Sequence, residues 1–230
     1  MDYLAEGLQQ AVGLMVRRDP DFVGAVWVSL TVASLSITLA AVAGVPCGIA
    51  LAQTPFPGRG ALVTLVHTLM SLPTVLVGLL VYSFLSRRGP LGEMGLLFTP
   101  AAMVAGQFIL AFPIVTGLVL AAVSGLDRRV RATALSLGAD GHQAFRAVVS
   151  ESRFGVLAAL VAGFGRVFAE VGVSMMLGGN IRGYTRTITT TIALETSKGE
   201  FGLGIALGLV LLSVSLAVNV LLGLLRRRAG

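Results

Sequence analysis

The sequence predicts an all-α membrane protein: five transmembrane helices, an amphipathic N-terminal segment, and a helical loop between the third and fourth spans. Three observations predict it. Of 230 residues, 55% are hydrophobic and only 12% charged, with a mean hydropathy of +0.89, a balance that excludes both an ordinary soluble enzyme and a disordered chain. The 17 basic and 11 acidic residues gather in short stretches, leaving charge-free runs as long as the roughly 20 residues a helix needs to cross hydrocarbon. Those runs do not alternate apolar and polar residues, so a membrane β-barrel is excluded.

Residues 1–21 form the first segment. Leu4, Leu8, Val12 and Met15 repeat at helical spacing, which predicts an amphipathic helix lying on the membrane surface. No basic stretch precedes it, so it does not read as a signal peptide. The transmembrane domain follows over 22–228, with spans at about 24–50, 61–85, 98–123, 154–178 and 202–224. The fourth span is broken only by Arg166 and Glu170. Pro46, Pro73 and Pro113 interrupt three spans, each removing an intrahelical hydrogen bond. Bends around a pathway and static bends are both open readings of them.

Orientation follows from the basic residues. With the 124–153 segment inside, nine basic residues lie on that side and seven on the other. The N-terminus is then outside, and Arg226, Arg227 and Arg228 end the chain in the cytoplasm. The pI near 10.7 is a topology signal and gives no reason to invoke nucleic acid.

Catalytic constellations are absent from the sequence. There is no glycine-rich phosphate loop ending in Gly-Lys-Ser/Thr, so the chain does not hold ATP in the usual way. Cys47 is the lone cysteine, and His67 and His142 lack Cys or carboxylate neighbours at ligand spacing, so no metal site is expected.

The 127–152 loop is the most patterned polar segment. Arg128 to Leu137 has helical composition, with Val130, Ala134 and Leu137 on one face, and Gly138 is placed to stop the helix. Asp140, with Gln143 three residues on, predicts a capping box opening a second short helix. On that helix Ala144, Phe145, Val148 and Val149 form an apolar stripe, while His142 and Arg146 face elsewhere. Two short helices meeting at a glycine make a docking surface; a solvated loop is the plainer alternative.

The run Ala132-Thr133-Ala134-Leu135-Ser136-Leu137-Gly138-Ala139 resembles the loop by which ABC-transporter permeases grip their ATPase subunits. Ala132 stands where that family commonly has Glu, and Ser150-Glu151 replaces its Leu-Pro ending. A narrower resemblance covers nearly the whole chain. Ser71-Leu72-Pro73-Thr74-Val75, Arg88-Gly89-Pro90-Leu91-Gly92, Gly163-Phe164-Gly165-Arg166, Glu170-Val171-Gly172, Met175-Met176-Leu177-Gly178-Gly179-Asn180-Ile181 and Tyr184-Thr185-Arg186-Thr187 look like segments of the permeases of tungstate uptake transporters. Molybdate and sulfate permeases carry looser versions of them.

The resemblance implies a fold like that of type I ABC importer permeases and a place in the prokaryotic inner membrane. It implies a homodimer, two cytoplasmic ATPase subunits and an external or periplasmic binding protein. The chain itself is then a transporter subunit and not an enzyme; it carries no cofactor, and ATP and Mg sit on the partner ATPase. Contact with the ATPase falls to Ala134, Leu137, Gly138, Ala139, Asp140, His142, Phe145 and Arg146. The substrate implied is tungstate, with molybdate or sulfate as alternatives. An anion channel that works without ATP is the rival from another class.

Within the membrane, Arg166 and Glu170 are four apart on one helix and able to pair. They read either as a structural ion pair or, with Pro73 and Thr74, as lining for a translocation route. In the following outer segment, backbone amides of Gly178 and Gly179, with Asn180, Arg182 and Arg186, are suitable donors for a tetrahedral dianion. A loop that only docks the binding protein is equally open. The small-residue stretches Gly44 to Gly48 and Gly204 to Gly208 allow close helix contact, between subunits or within one.

Overall fold

The computed structural model describes residues 9, 13 and 19–228, and among these it holds ten α-helices, one short 3-10 turn and no strand. The amphipathic segment expected over 1–21 lies almost wholly outside the described residues. Helix α1 runs Pro20–Gln53. Its start is set by Asp19, whose carboxylate accepts the N–H groups of Asp21 and Phe22 at 3.0 and 3.1 Å, and by Pro20 in the first turn.

The stretch expected as one span at 61–85 is two helices, α2 (Arg59–Met70) and α3 (Thr74–Leu85), bent by 97°. Pro73 is the reason: it donates no N–H, and its ring pushes Leu72 out of helical conformation. Pro46 and Pro113 lie inside unbroken helices. Helix α4 (Pro100–Ser124) begins at Thr99, whose hydroxyl accepts the Ala102 N–H. It is the central helix, with 61% of its most apolar stretch buried against 28% for α1 and for the last helix.

Helices α5 (Arg128–Ser136) and α6 (Gly141–Glu151) form the connecting loop, and α7 (Arg153–Phe168) leaves α6 at a 51° bend. The span expected at 154–178 is also broken: α7 ends at Phe168, and a separate α8 covers Gly172–Gly178. Helices α9 (Ile188–Ser197) and α10 (Phe201–Arg228) close the chain. Three helices, α1, α4 and α10, are each long and apolar enough to cross a membrane; counting the bent pairs α2/α3 and α6/α7 as single spans raises the number to five.

Helix α1 packs most extensively on α4, and glycine makes the approach possible. A Cβ on Gly48 would stand 2.7 Å from the Thr116 carbonyl oxygen and 2.8 Å from Val119 Cβ. The Gly44 to Gly48 face is therefore used within the subunit, whereas Gly208 meets open space. Buried polar groups stitch the same core together. The Ser36 hydroxyl donates to Val32 and lies 3.2 Å from the Val104 carbonyl, and Gln107 Nε2 donates to Ser174 Oγ at 2.9 Å, joining α1, α4 and α8.

Polar segments gather at the two ends of the bundle. The C-terminal ends of α1 and α4 meet α5 and α6 at one, and Asp19 and Asp21 meet the 178–200 segment at the other.

Candidate functional site

The two helix breaks lie side by side. Gly172, which opens α8, is flanked by the start of α3: a Cβ there would stand 3.1 Å from Thr74 Oγ1, 3.3 Å from Val75 Cγ2 and 3.3 Å from Glu170 Oε1. Thus the structure brings Pro73 and Thr74 to the Glu170 break, although about a hundred residues separate them in the chain. Discontinuous helices in a membrane protein leave backbone groups that something must satisfy, and such places are where pathways are built.

Here Glu170 satisfies them. Its side chain is 4% exposed. Oε1 accepts the N–H of Gly172 at 2.8 Å and of Val173 at 3.3 Å, and Oε2 accepts Arg166 Nη1 at 2.8 Å. The Glu170 carbonyl receives the Thr189 hydroxyl at 2.9 Å, fixing the break to α9. Glu170 is thus a cap for α8 and a counter-ion at once. Arg166 differs: its side chain is 47% exposed, and one guanidinium nitrogen is spent on Glu170. It lies about 20 Å along α7 from Arg153, at 1.5 Å per residue, well inside the thickness of a bilayer. A guanidinium open at that depth faces a partner or water, because facing lipid would leave its charge unsolvated.

At the end that carries 178–200, the side chains are engaged with one another. Arg182 Nε donates to Asp21 Oδ1 at 2.7 Å, and its Nη2 donates to Asp21 Oδ2, a bidentate pair. Hydrogen bonding to Asp21, and the charge of that carboxylate, push the Arg182 guanidinium above its already high ordinary value. Arg186 donates to Asn180 Oδ1 and to the Asn180 carbonyl at 3.2 and 3.3 Å. Gly179 (φ +69) ends α8 in left-handed conformation, and its N–H goes to the Met175 carbonyl at 3.0 Å. Thr187 and Thr190 cap α9 reciprocally, and Thr185 bonds the Gly178 carbonyl. The donors expected at Gly178 and Gly179 are therefore internal scaffolding, as are the threonine hydroxyls around them. What faces outward is the edge of Arg182 and Arg186 around a cavity of about 340 Å3 shared with Glu195 and Lys198.

The α5/α6 loop follows its sequence pattern closely. Gly138 (φ +88) stops α5 in a Schellman arrangement: its N–H goes to Leu135 and that of Ala139 to Ala134, both at 3.0 Å. Asp140 Oδ1 accepts the Gln143 N–H at 2.7 Å, and Gln143 Oε1 accepts the Asp140 N–H at 3.0 Å, the expected capping box. Ala144 and Val148 turn inward, whereas Leu137, 82% exposed, and Phe145, 38% exposed, are uncovered. His142 and Arg146 are exposed beside them. Leu137 and Phe145 thus leave apolar surface open on the turn, with polar groups around it.

Sequence reasoning passed over Gln107 and Ser174, which hold the breaks in place. The available signal was their polarity inside charge-free runs. Among the described residues no three His, Cys, Asp or Glu side chains come together as a metal site.

Comparison with known proteins identifies the family and the fold. A family profile described as the binding-protein-dependent transport system inner membrane component matches residues 44–230. The tungstate uptake system permease protein TupB of Campylobacter jejuni is 40% identical over 227 residues, covering 99% of this chain and 95% of that protein. TupB of Peptoclostridium acidaminophilum is 39% identical over 222 residues, covering 96% and 97%. Among solved structures, a bacterial alginate ABC transporter in complex with its alginate-pentasaccharide-bound periplasmic protein superposes with a TM-score of 0.72 at 19% identity, covering 96% of this chain and 86% of that one. That likeness is one of fold.

Proposed function

The chain belongs to the family of binding-protein-dependent transport system inner membrane components, and from that premise we propose that it is the permease subunit of an ATP-driven tungstate importer. The substrate reading is carried by one observation: 40% identity to a tungstate uptake permease runs through 99% of the chain. Two copies form the membrane unit, a binding protein delivers the oxyanion from outside, and two separate ATPase subunits supply ATP and Mg. The half-open Arg166 supports the pairing, since a second subunit or an aqueous route between subunits gives its guanidinium a polar neighbour.

The α5/α6 loop lies in the cytoplasm with the C-terminus, and the N-terminus lies outside. Leu137 and Phe145 seat in an ATPase groove, with Ala134, Gly138, Ala139 and Asp140 fixing the turn and His142 and Arg146 at its rim. ATP binding closes the ATPase pair, α6 transmits the motion into α7 across the bend at Ser152, and the helices open outward; hydrolysis restores the inward state. The ATPase acts on this equilibrium only through contacts that differ between the two states, and the seated loop supplies them.

Along the route, Arg166 offers a brief attraction to a tetrahedral dianion, and Glu170 keeps that attraction from becoming a trap. Pro73 and Thr74 line the same break. Outside, Arg182 and Arg186 present the charged part of the face the binding protein meets, on a loop that Gly178, Gly179 and Asn180 brace from within. Uptake of tungstate by cells carrying the permease with its ATPase and binding protein tests the reading. It should stop when ATP is depleted; uptake that persists identifies a channel instead.

A further inference from the structure

At the α5/α6 end lies a second polar cavity that the transport cycle above does not use. It measures about 410 Å3, and its wall includes Gln53, Arg59, Ser124, Asp127, Arg131 and Val148. That volume falls within the roughly 300–1,000 Å3 of small-molecule sites.

Three features give it a chemical preference. Gln53 Nε2 is, among the described residues, the one buried side-chain nitrogen or oxygen without a hydrogen-bond partner. A buried amide donor left empty is costly, so an acceptor is expected in front of it. Arg59 spends only Nε, donating to the Leu51 carbonyl at 2.6 Å, which anchors the side chain and leaves its two terminal nitrogens free for other acceptors. Arg131 has no ion pair among the described residues. The one carboxylate in the wall, Asp127, is occupied: Oδ1 accepts the Arg129 N–H at 2.9 Å, and Oδ2 lies 3.9 Å from Arg129 Nε. Two guanidinium groups and an amide donor thus outnumber one engaged carboxylate, which excludes a cation. Forked donors of this kind match the oxygens of a phosphate.

We propose that this cavity binds a phosphate-class anion, the headgroup of an anionic phospholipid or free phosphate. Its place where α1 and α4 end, beside the polar loop, sets it at the level where a headgroup lies, and basic pockets between membrane helices take such lipids.

The test uses the full chain purified in neutral detergent and phosphate-free buffer. Micelles doped with phosphatidylglycerol or phosphatidylcholine are compared by counting retained lipid in native mass spectrometry. In a separate arm, millimolar inorganic phosphate is added and the thermal midpoint is read. Phosphatidylglycerol should be retained about tenfold better than phosphatidylcholine, and Arg131→Gln and Gln53→Leu should each lower retention about tenfold, the effect of losing one hydrogen bond to a charged group. Arg131 is exposed, so its variant reads binding without disturbing the core. Arg87→Gln, an exposed arginine outside the cavity, should retain lipid normally. A phosphate-induced rise in midpoint that the two cavity variants lose, without lipid selectivity, assigns the site to the free anion. Absence of both effects, or effects equal in wild type and cavity variants, overturns the proposal.

Discussion

Replacing Glu170 with alanine tests the central joint of the molecule. The substitution removes the acceptor for two N–H groups at the start of α8, at 2.8 and 3.3 Å, and the partner of Arg166 at 2.8 Å. Loss of a helix cap costs about 1 kcal/mol. Loss of a hydrogen bond between charged groups costs about 1.5–3 kcal/mol, and the lower half of that range applies because Arg166 is 47% exposed and water reaches it. The whole effect is then about 2–3 kcal/mol, which for a chain of this size corresponds to a fall of roughly 5–10 °C in thermal midpoint. Glu170→Gln keeps an oxygen in front of Gly172 and Val173 and loses chiefly the ionic part, about 1 kcal/mol. The assay is the midpoint of loss of the monodisperse peak in size-exclusion chromatography after heating in detergent. An alanine variant that melts with the wild type would refute the capping role. A glutamine variant as damaging as alanine would assign the stability to charge pairing instead.

Three further outcomes follow from other parts of the fold. Arg166→Gln should lower tungstate uptake several-fold while membrane level and co-purification with the ATPase stay normal, because its guanidinium is half free; unchanged uptake removes Arg166 from the route. Gly138→Pro should abolish transport and loosen ATPase co-purification, since Gly138 holds φ +88 and proline is confined near −65°; normal binding and transport would sink the docking assignment of the loop. Gly48→Val should cost at least about 2 kcal/mol, read as lower expression and melting point, because even a Cβ would sit 2.7 Å from the Thr116 carbonyl; a stable variant would mean that α1 and α4 move apart readily.

The parts legible in the sequence were those governed by neighbours in the chain. Asp140 and Gln143, Gly138 as a stop, and the pairing of Arg166 with Glu170 all depend on offsets of three or four residues, and each is found at bonding distance. The membrane-length runs around α1, α4 and α10 were equally plain, because hydrophobicity and length decide them. Pro73 was visible as an interruption, yet nothing local distinguishes it from Pro46 and Pro113, which sit inside continuous helices. The difference is tertiary: α8 and Glu170 stand ready to pack against the start of α3. The second break was hidden because Ala169 to Val171 reads as ordinary helix. It is made by the Glu170 carboxylate turning forward onto Gly172 and Val173, with Thr189 holding the carbonyl from a distant helix. The backbone donors expected to face outward at Gly178 and Gly179 are taken up for a related reason. Threonine hydroxyls look free in a sequence, but a compact loop uses them first to satisfy its own backbone.

The permease should couple a binding protein loaded with tungstate to ATP hydrolysis by a partner. That coupling is tested most directly by reconstituting the chain with its ATPase in vesicles and adding the binding protein with tungstate, molybdate or sulfate. ATPase activity should rise several-fold with the tungstate-loaded binding protein and less with the other two. Hydrolysis indifferent to all three oxyanions would contradict it.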